Sequence, residues 1–234
     1  MSFIAENLSS VKQRIERAAL RAGRRPQDIT LIAVSKTKPA ELIREAYNCG
    51  QRVFGENRVQ ELSEKAPALP GDIAWQLIGH LQTNKVRQVV GRVSLIHSLD
   101  SLRLAEELQK ESEKRGLVTE LLLEINIAGE ESKFGFRPEE AIAAAEWIAL
   151  LPALRLRGLM TVAPFTEDPE ENRKYFRQMR QLAVDIKDKN IDNVSMDILS
   201  MGMTGDFEVA VEEGATMVRV GTGIFGERDY SAQS

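Results

Sequence analysis

The chain is poor in the residues that build covalent frameworks and metal centres: 234 residues hold one cysteine and two histidines. A single thiol excludes an internal disulfide. With only His80 and His97, and no H-E-x-x-H or C-x-x-C, the common transition-metal frameworks are absent too, and no metal site is expected. Cys49, in Ala46-Tyr47-Asn48-Cys49-Gly50, reads as a small hydrophobe packed at a helix end, since no histidine lies nearby in sequence to activate it. A basic excess is also missing. Thirty-one Lys and Arg stand against 35 Asp and Glu, for a net charge of −4, and no basic stripe marks a nucleic-acid partner. The most apolar segment, residues 141–154, is interrupted by Glu146 and Pro152 and falls short of the roughly 20 residues that span a bilayer, so no membrane partner is expected. The amino terminus lacks the basic flank and apolar stretch of an export signal, which makes the cytoplasm the expected location. No Pro/Gly/Ser-rich linker, low-complexity tract or repeat divides the chain; one domain over residues 1–234 is expected.

What is present is an alternation. Ile4, Leu8, Val11, Ile15 and Ala19 recur at helical spacing and Gly23 offers a stop, giving a helix ahead of the first strand. Short apolar runs then alternate with helical patterns, at residues 29–35, 53–55, 74–78, 94–97, 120–125, 154–160, 197–200 and 217–220. Helix starts fall near Pro39, Arg58, Asn84, Ser101, Pro138, Pro169 and Asp206, with a proline in the first turn at three of them. Gly50, Gly91, Gly116 and Gly214 stand near stops. Near-continuous apolar strands such as Leu121-Leu122-Leu123 belong to parallel sheets covered on both faces. The α/β class follows, and eight strands predict a single (β/α)8 TIM barrel with an extra N-terminal helix; a doubly wound sheet is the alternative. Residues 128–137 form a polar loop of mobile character.

In such a barrel the chemistry sits at the carboxyl ends of the strands, and phosphate is often held after strands seven and eight. Ser200-Met201-Gly202 follows strand seven and Gly221-Thr222-Gly223 follows strand eight. Lys36 ends strand one, which closure makes their neighbour. An amine beside a backbone phosphate cradle suits a phosphate-bearing aldehyde about the size of pyridoxal phosphate, provided that desolvation or a nearby cation keeps the amine partly neutral. The plainer reading of Lys36 is a solvated strand-end lysine. Lys38, Lys85 and Lys133 are competing amines, at a helix entrance, in a first helical turn and in the polar loop. The run from Gly221 to Gly226 satisfies G-x-G-x-x-G, yet only eight residues follow it, too few for a dinucleotide-binding βαβ unit. Arg219 interrupts an apolar strand on the same face as Met217 and Gly221. It faces either an aromatic ring nitrogen of the ligand or a barrel carboxylate such as Glu124 or Asp197. Asn57 either orders the ligand or caps a helix, and His80 is read as a loop-ordering residue, with proton relay as the alternative.

Several ordered motifs closely resemble the pyridoxal phosphate homeostasis protein family, of YggS or PROSC type. They are Ala33-Val34-Ser35-Lys36-Thr37-Lys38-Pro39, Phe54-Gly55-Glu56-Asn57, Ile78-Gly79-His80-Leu81-Gln82-Thr83-Asn84-Lys85, Arg157-Gly158-Leu159-Met160, Leu199-Ser200-Met201-Gly202-Met203 and the run from Val218 to Gly226. The resemblance spans essentially the whole chain. It implies a barrel like the amino-terminal domain of alanine racemase, with pyridoxal 5′-phosphate as cofactor and Lys36 as its Schiff-base lysine. It further implies Ser200, Gly221 and Thr222 at the phosphate, Met201 in the same turn, Arg219 at the pyridine nitrogen, and Asn57 and Met160 in the pocket wall. Gln76 departs from the family pattern, in which a histidine is frequent.

Members of that family look like handlers of the vitamin B6 pool, with effects on amino-acid and keto-acid balance. The resemblance therefore implies a carrier or reservoir, without a settled catalytic reaction, and apo enzymes that use pyridoxal phosphate are the expected acceptors. The alternative is an amino-acid racemase-like enzyme. Against it, the second domain that supplies the opposing tyrosine in alanine racemases is expected to be missing, and Tyr230 reads as packing or tail. A third class is a regulatory protein that reports B6 status to a partner.

Overall fold

The computed structural model describes residues 2–227, in which eight parallel strands close a barrel in chain order. Tyr230 lies outside the described residues. The strands are β1 (Thr30–Val34), β2 (Val53–Glu56), β3 (Ala74–Leu77), β4 (Leu95–Leu99), β5 (Thr119–Glu124), β6 (Leu154–Met160), β7 (Val194–Ser200) and β8 (Met217–Val220). Pairing of β1 with β8, Ile32 opposite Arg219 and Ala33 opposite Val220, closes the ring and excludes the doubly wound alternative. The expected runs match the eight strands with shifted ends, most of all in β7, which begins at Val194.

Between the strands lie α2 (Ala40–Asn48), α3 (Val59–Lys65), α4 (Val86–Val89), α5 (Leu102–Arg115), α6 (Ala141–Ala149), α7 (Arg173–Lys187) and α8 (Phe207–Glu212), with α1 (Phe3–Arg21) before the first strand and α9 (Thr222–Phe225) after the last. Helix ends follow local chemistry. Ser101 caps α5 by accepting from the Leu104 N–H, and Gly116 ends it in the left-handed region that lacks a Cβ penalty. Pro138 and Pro169 each open a short 3-10 turn ahead of α6 and α7. Pro39 departs from expectation: its extended backbone makes it the N-cap of α2, one residue before the helix proper. Cys49 departs as well. It caps the far end of α2 and its side chain is exposed, because the helix turns its buried face, Ile43 and Ala46, the other way.

Alternation along each strand separates two apolar layers. Leu31, Ala33, Phe54, Leu121, Leu123, Val218 and Val220 belong to the large core beneath the helices. A small inner cluster of Leu95, Leu122 and Met160, backed by Ile198 and Met217, fills the barrel itself. Each fully buried Leu or Phe stabilises by about 1.5–3 kcal/mol, so the outer layer carries most of the fold and leaves the inner one room for polar groups. The β6–β7 seam depends on Gly158, whose φ is 155° and where a Cβ would lie 1.8 Å from the Ile198 carbonyl oxygen.

The extra helix is tied to the last part of the barrel. α1 buries Ile4, Leu8, Val11, Ile15, Ala18 and Ala19. Arg14 pairs with Glu208 at 2.7 Å, and the Asn7 carboxamide donates to the Ile224 carbonyl at 3.0 Å. α1 thereby braces α8 and α9, the elements that flank the β8 turn. No helix among the described residues is long and apolar enough to cross a membrane.

Candidate functional site

The turns after β7 and β8 meet at one edge of the barrel mouth. The Arg219 N–H donates to the Gly202 carbonyl at 3.0 Å, and the Gly223 N–H reaches the Thr204 hydroxyl at 3.4 Å. A Cβ on Gly221 would stand 3.4 Å from both Cβ and O of Val34, so the β8 turn lies against the end of β1. Lys36, half-buried, stands two residues beyond Val34 in the turn that follows β1. Closure therefore brings together Lys36, Gly221 and the Ser200–Gly202 turn. Thr222 opens α9 and is exposed, and the N–H groups of a first helical turn have no helical acceptor.

Beneath that rim runs a buried polar chain. Arg219 donates from Nη1 to the Ser200 hydroxyl at 2.5 Å and from Nη2 to the Thr161 carbonyl at 2.7 Å. His97 links the same hydroxyl, 2.9 Å from Nδ1, to the Gln76 carboxamide oxygen, 2.8 Å from Nε2. Burial, reinforced by the Arg219 charge, holds the imidazole well below its ordinary pKa, so the ring is neutral and carries one N–H. Gln76 Oε1 is an acceptor, which places that hydrogen on Nε2; Nδ1 then accepts from the Ser200 O–H. The serine hydroxyl is thus engaged with arginine and imidazole beneath the turn expected to hold phosphate.

Arg219 stays charged. Burial lowers its pKa to about 10, opposed by the fields of Glu124 and Asp206. Of its two expected carboxylate partners, Asp197 is excluded: it lies on the outer surface 3.9 Å from Arg157. Glu124, the last residue of β5, is electrostatically coupled to the guanidinium. Burial, with a smaller push from Asp100, raises its carboxyl to about 7 against the pull of Arg219, and its Oε2 is buried without a hydrogen-bond partner. Glu124 also lines a cavity of about 190 Å³ with Asn126, Ser132, Lys133, Phe134 and Val162, beneath the 128–137 loop. That loop is held by backbone bonds between Phe136 and both Glu124 and Asn126, at 2.8 and 2.9 Å.

Among the other expected residues, Met160 lies in the inner cluster, and Asn57 follows β2 at the mouth with a buried Oδ1 that has no partner. Asn57 caps no helix; Arg58 is the N-cap of α3. Met201 is buried on the opposite face of β7 from Ser200, in the main core, and its N–H bonds the Met217 carbonyl at 3.1 Å. Two of the competing amines have protein partners. Lys38 Nζ donates to the carbonyls of Phe225, Gly226 and Glu227, and Lys133 Nζ pairs with Glu130 at 2.5 Å. Lys85 closes a 3-10 turn and lines a mouth cavity with Asn57, Glu61 and His80. His80 orders loops: it bonds Asp100 at 2.6 Å and stacks on Phe134 with centroids 3.9 Å apart.

Sequence reasoning passed over His97, Thr161 and Asp206. A signal existed for His97, a polar residue at an inward position of an apolar strand. Asp206 was marked only as a helix start; it is the N-cap of α8, and it also accepts from the Met203 N–H and the Asn172 carboxamide at 2.7 and 2.8 Å and so shapes the β7 turn.

A closed parallel barrel with a lysine in the turn after β1 and glycine turns after β7 and β8 places the chain in a recognisable class: residues 6–229 match the family "alanine racemase, N-terminal domain". A pyridoxal phosphate homeostasis protein of Aquifex aeolicus is 50% identical over 96% of this chain and 98% of its own, and one of Pseudomonas aeruginosa is 43% identical over 99% of each. Among solved structures, PipY of Synechococcus elongatus with PLP bound is 40% identical, with a TM-score of 0.81 over 95% of this chain and all of the other. Alanine racemase of Clostridium difficile, at 15% identity and a TM-score of 0.73 over 97% of this chain and 57% of its own, shares the fold. The chain belongs to the pyridoxal phosphate homeostasis protein family.

Proposed function

We propose that the chain binds pyridoxal 5′-phosphate at the barrel mouth through the Lys36 amine and contributes to vitamin B6 and amino-acid/keto-acid balance as a carrier or reservoir. The observation that carries this reading is the 40%-identical PipY structure with PLP bound, aligned along 95% of the chain.

The donor set at the rim suits that group. Asn57 Oδ1, a buried acceptor without a partner, fits a ligand with a polar ring. In this reading Lys36 supplies the amine, and Gly221 and Thr222 supply N–H groups to the phosphate beside the Ser200–Gly202 turn. Arg219 presents its remaining N–H groups to the ring nitrogen, while Asn57 and Met160 wall the pocket. Ser200 and Met201 border the phosphate in that turn, with Ser200 also fixing Arg219 and Met201 packed into the core behind it. When bound, pyridoxal phosphate supplies an aldehyde that condenses with a primary amine and a ring that withdraws electrons when its nitrogen is protonated. A charged Arg219 opposes that protonation, which favours holding the group over turning over amino acids.

Titration of the native protein with pyridoxal phosphate should give a visible absorbance band that Lys36→Ala lacks. Its absence from the native protein contradicts the reading. Apo enzymes that need the cofactor are the proposed acceptors; transfer to one faster than dissociation into buffer supports delivery, and transfer at the dissociation rate supports storage. The racemase-like alternative rests on Glu124, a proton-holding carboxyl at the same mouth. Exchange of amino-acid α-protons in deuterated solvent, lost in Lys36→Ala, would favour it.

A further inference from the structure

The segment that presents Lys36 is gripped on both sides by one helix. Lys65 Nζ donates to the Ser35 carbonyl at 2.8 Å, to Glu56 at 2.8 Å and to Glu61 at 2.7 Å, which uses all the hydrogens of an ammonium. Glu61 accepts the Thr37 N–H at 2.7 Å with the same carboxylate oxygen that meets Lys65. The carbonyl before Lys36 and the amide after it are therefore fastened to an i,i+4 ion pair on α3. Glu56, fully buried, anchors the pair from beneath and also accepts the Ser35 hydroxyl at 2.7 Å.

The grip coincides with strain. Thr37 has a φ of 61°, in the left-handed region, where a β-branched side chain is an outlier and persists only when its surroundings enforce it. Two bonds hold this conformation: the Thr37 N–H to Glu61 from the side, and the Lys38 N–H, which closes the turn on the Ser35 carbonyl at 3.1 Å. Burial works against ionisation of Glu61, yet the bonds from Lys65 and Thr37 keep its carboxyl below the ordinary range, so the carboxylate that holds Thr37 is charged at neutral pH.

We propose that Glu61 and Lys65 are positioning residues that lock the Ser35–Thr37 backbone in the strained turn aiming Lys36 into the barrel mouth, and so set how fast the Lys36 amine takes up pyridoxal phosphate. This rests on the function proposed above and names what controls its rate.

Two measurements test it, one without any ligand. Amide hydrogen exchange at Thr37 in the ligand-free protein should be faster in Glu61→Ala by roughly tenfold, the ratio that release of one left-handed residue implies. Stopped-flow absorbance after mixing with pyridoxal phosphate should show uptake slower by a similar factor. Glu61→Gln keeps an acceptor for Thr37 and should stay within about threefold of the native protein in both readings. Glycine tolerates the left-handed region, so Thr37→Gly in the Glu61→Ala background should recover most of the uptake rate. A Glu61→Ala protein indistinguishable from native in both readings overturns the proposal. So does slow uptake that Thr37→Gly leaves unrepaired, because the effect would then not pass through the turn. Failure of the native protein to link pyridoxal phosphate at Lys36 contradicts the functional reading instead, and the ligand-free exchange still judges the grip on Thr37.

Discussion

Arg219 donates to the Ser200 hydroxyl at 2.5 Å, and that hydroxyl in turn serves His97 at 2.9 Å. A guanidinium inside a barrel needs its N–H groups answered, and here the answer comes from β7 and from the Thr161 carbonyl after β6. Ser200→Ala leaves one Arg219 N–H and the His97 Nδ1 lone pair unanswered in a site closed to water. We expect a loss of about 2–4 kcal/mol in urea-induced unfolding. A change below about 0.5 kcal/mol, the range of neutral surface substitutions, would show that the chain of bonds contributes nothing.

Glu124 predicts a pH dependence. Its folded pKa, about 7, lies above its ordinary value of 4.5, so between those values the native state keeps a proton that the unfolded chain has lost. Below the lower value both states are protonated and the group is neutral toward stability. Stability falls as pH rises from there toward about 7 and then levels, with a deficit of at most roughly 3 kcal/mol. Glu124→Gln mimics the protonated acid. Its midpoint of thermal unfolding should exceed that of the native protein at pH 8, and the gap should shrink at pH 5; a gap independent of pH would refute the assignment.

Lys38 is a structural amine in this account. Its three bonds to the carbonyls of residues 225–227 satisfy the end of α9, as basic groups do at helix C-termini. Lys38→Met should cost about 1–2 kcal/mol in unfolding free energy while leaving covalent uptake of pyridoxal phosphate in place. Loss of uptake with unchanged stability would reverse the roles assigned to Lys36 and Lys38.

The order of the eight strands was legible because each is a short apolar run bounded by turn chemistry. The start of β7 was not: Val194-Ser195-Met196-Asp197 alternates apolar with polar residues and is exposed or half-buried, so it lacks the continuous apolar run that marked the other strands. Lys36, Gly221 and Arg219 drew notice through their combination, since a strand-end lysine alone reads as solvated and only the glycine turns at neighbouring strand ends single it out. Glu56, Glu61 and Lys65 were opaque. Acidic and basic residues at helical spacing look like a solvated face, and only closure of the barrel shows that this pair reaches back to the backbone around Lys36. Register explains the error at Asp197, because strand alternation cannot tell which of two carboxylates on different strands faces Arg219.

A single amine, that of Lys36, is proposed to carry the cofactor. The direct measurement is borohydride reduction of the native protein loaded with pyridoxal phosphate, followed by proteolysis and mass mapping of the labelled peptide. The label should fall on Lys36 and disappear in Lys36→Ala. A label on Lys38, Lys85 or Lys133 with Lys36 unmodified, or full labelling of Lys36→Ala, would contradict it.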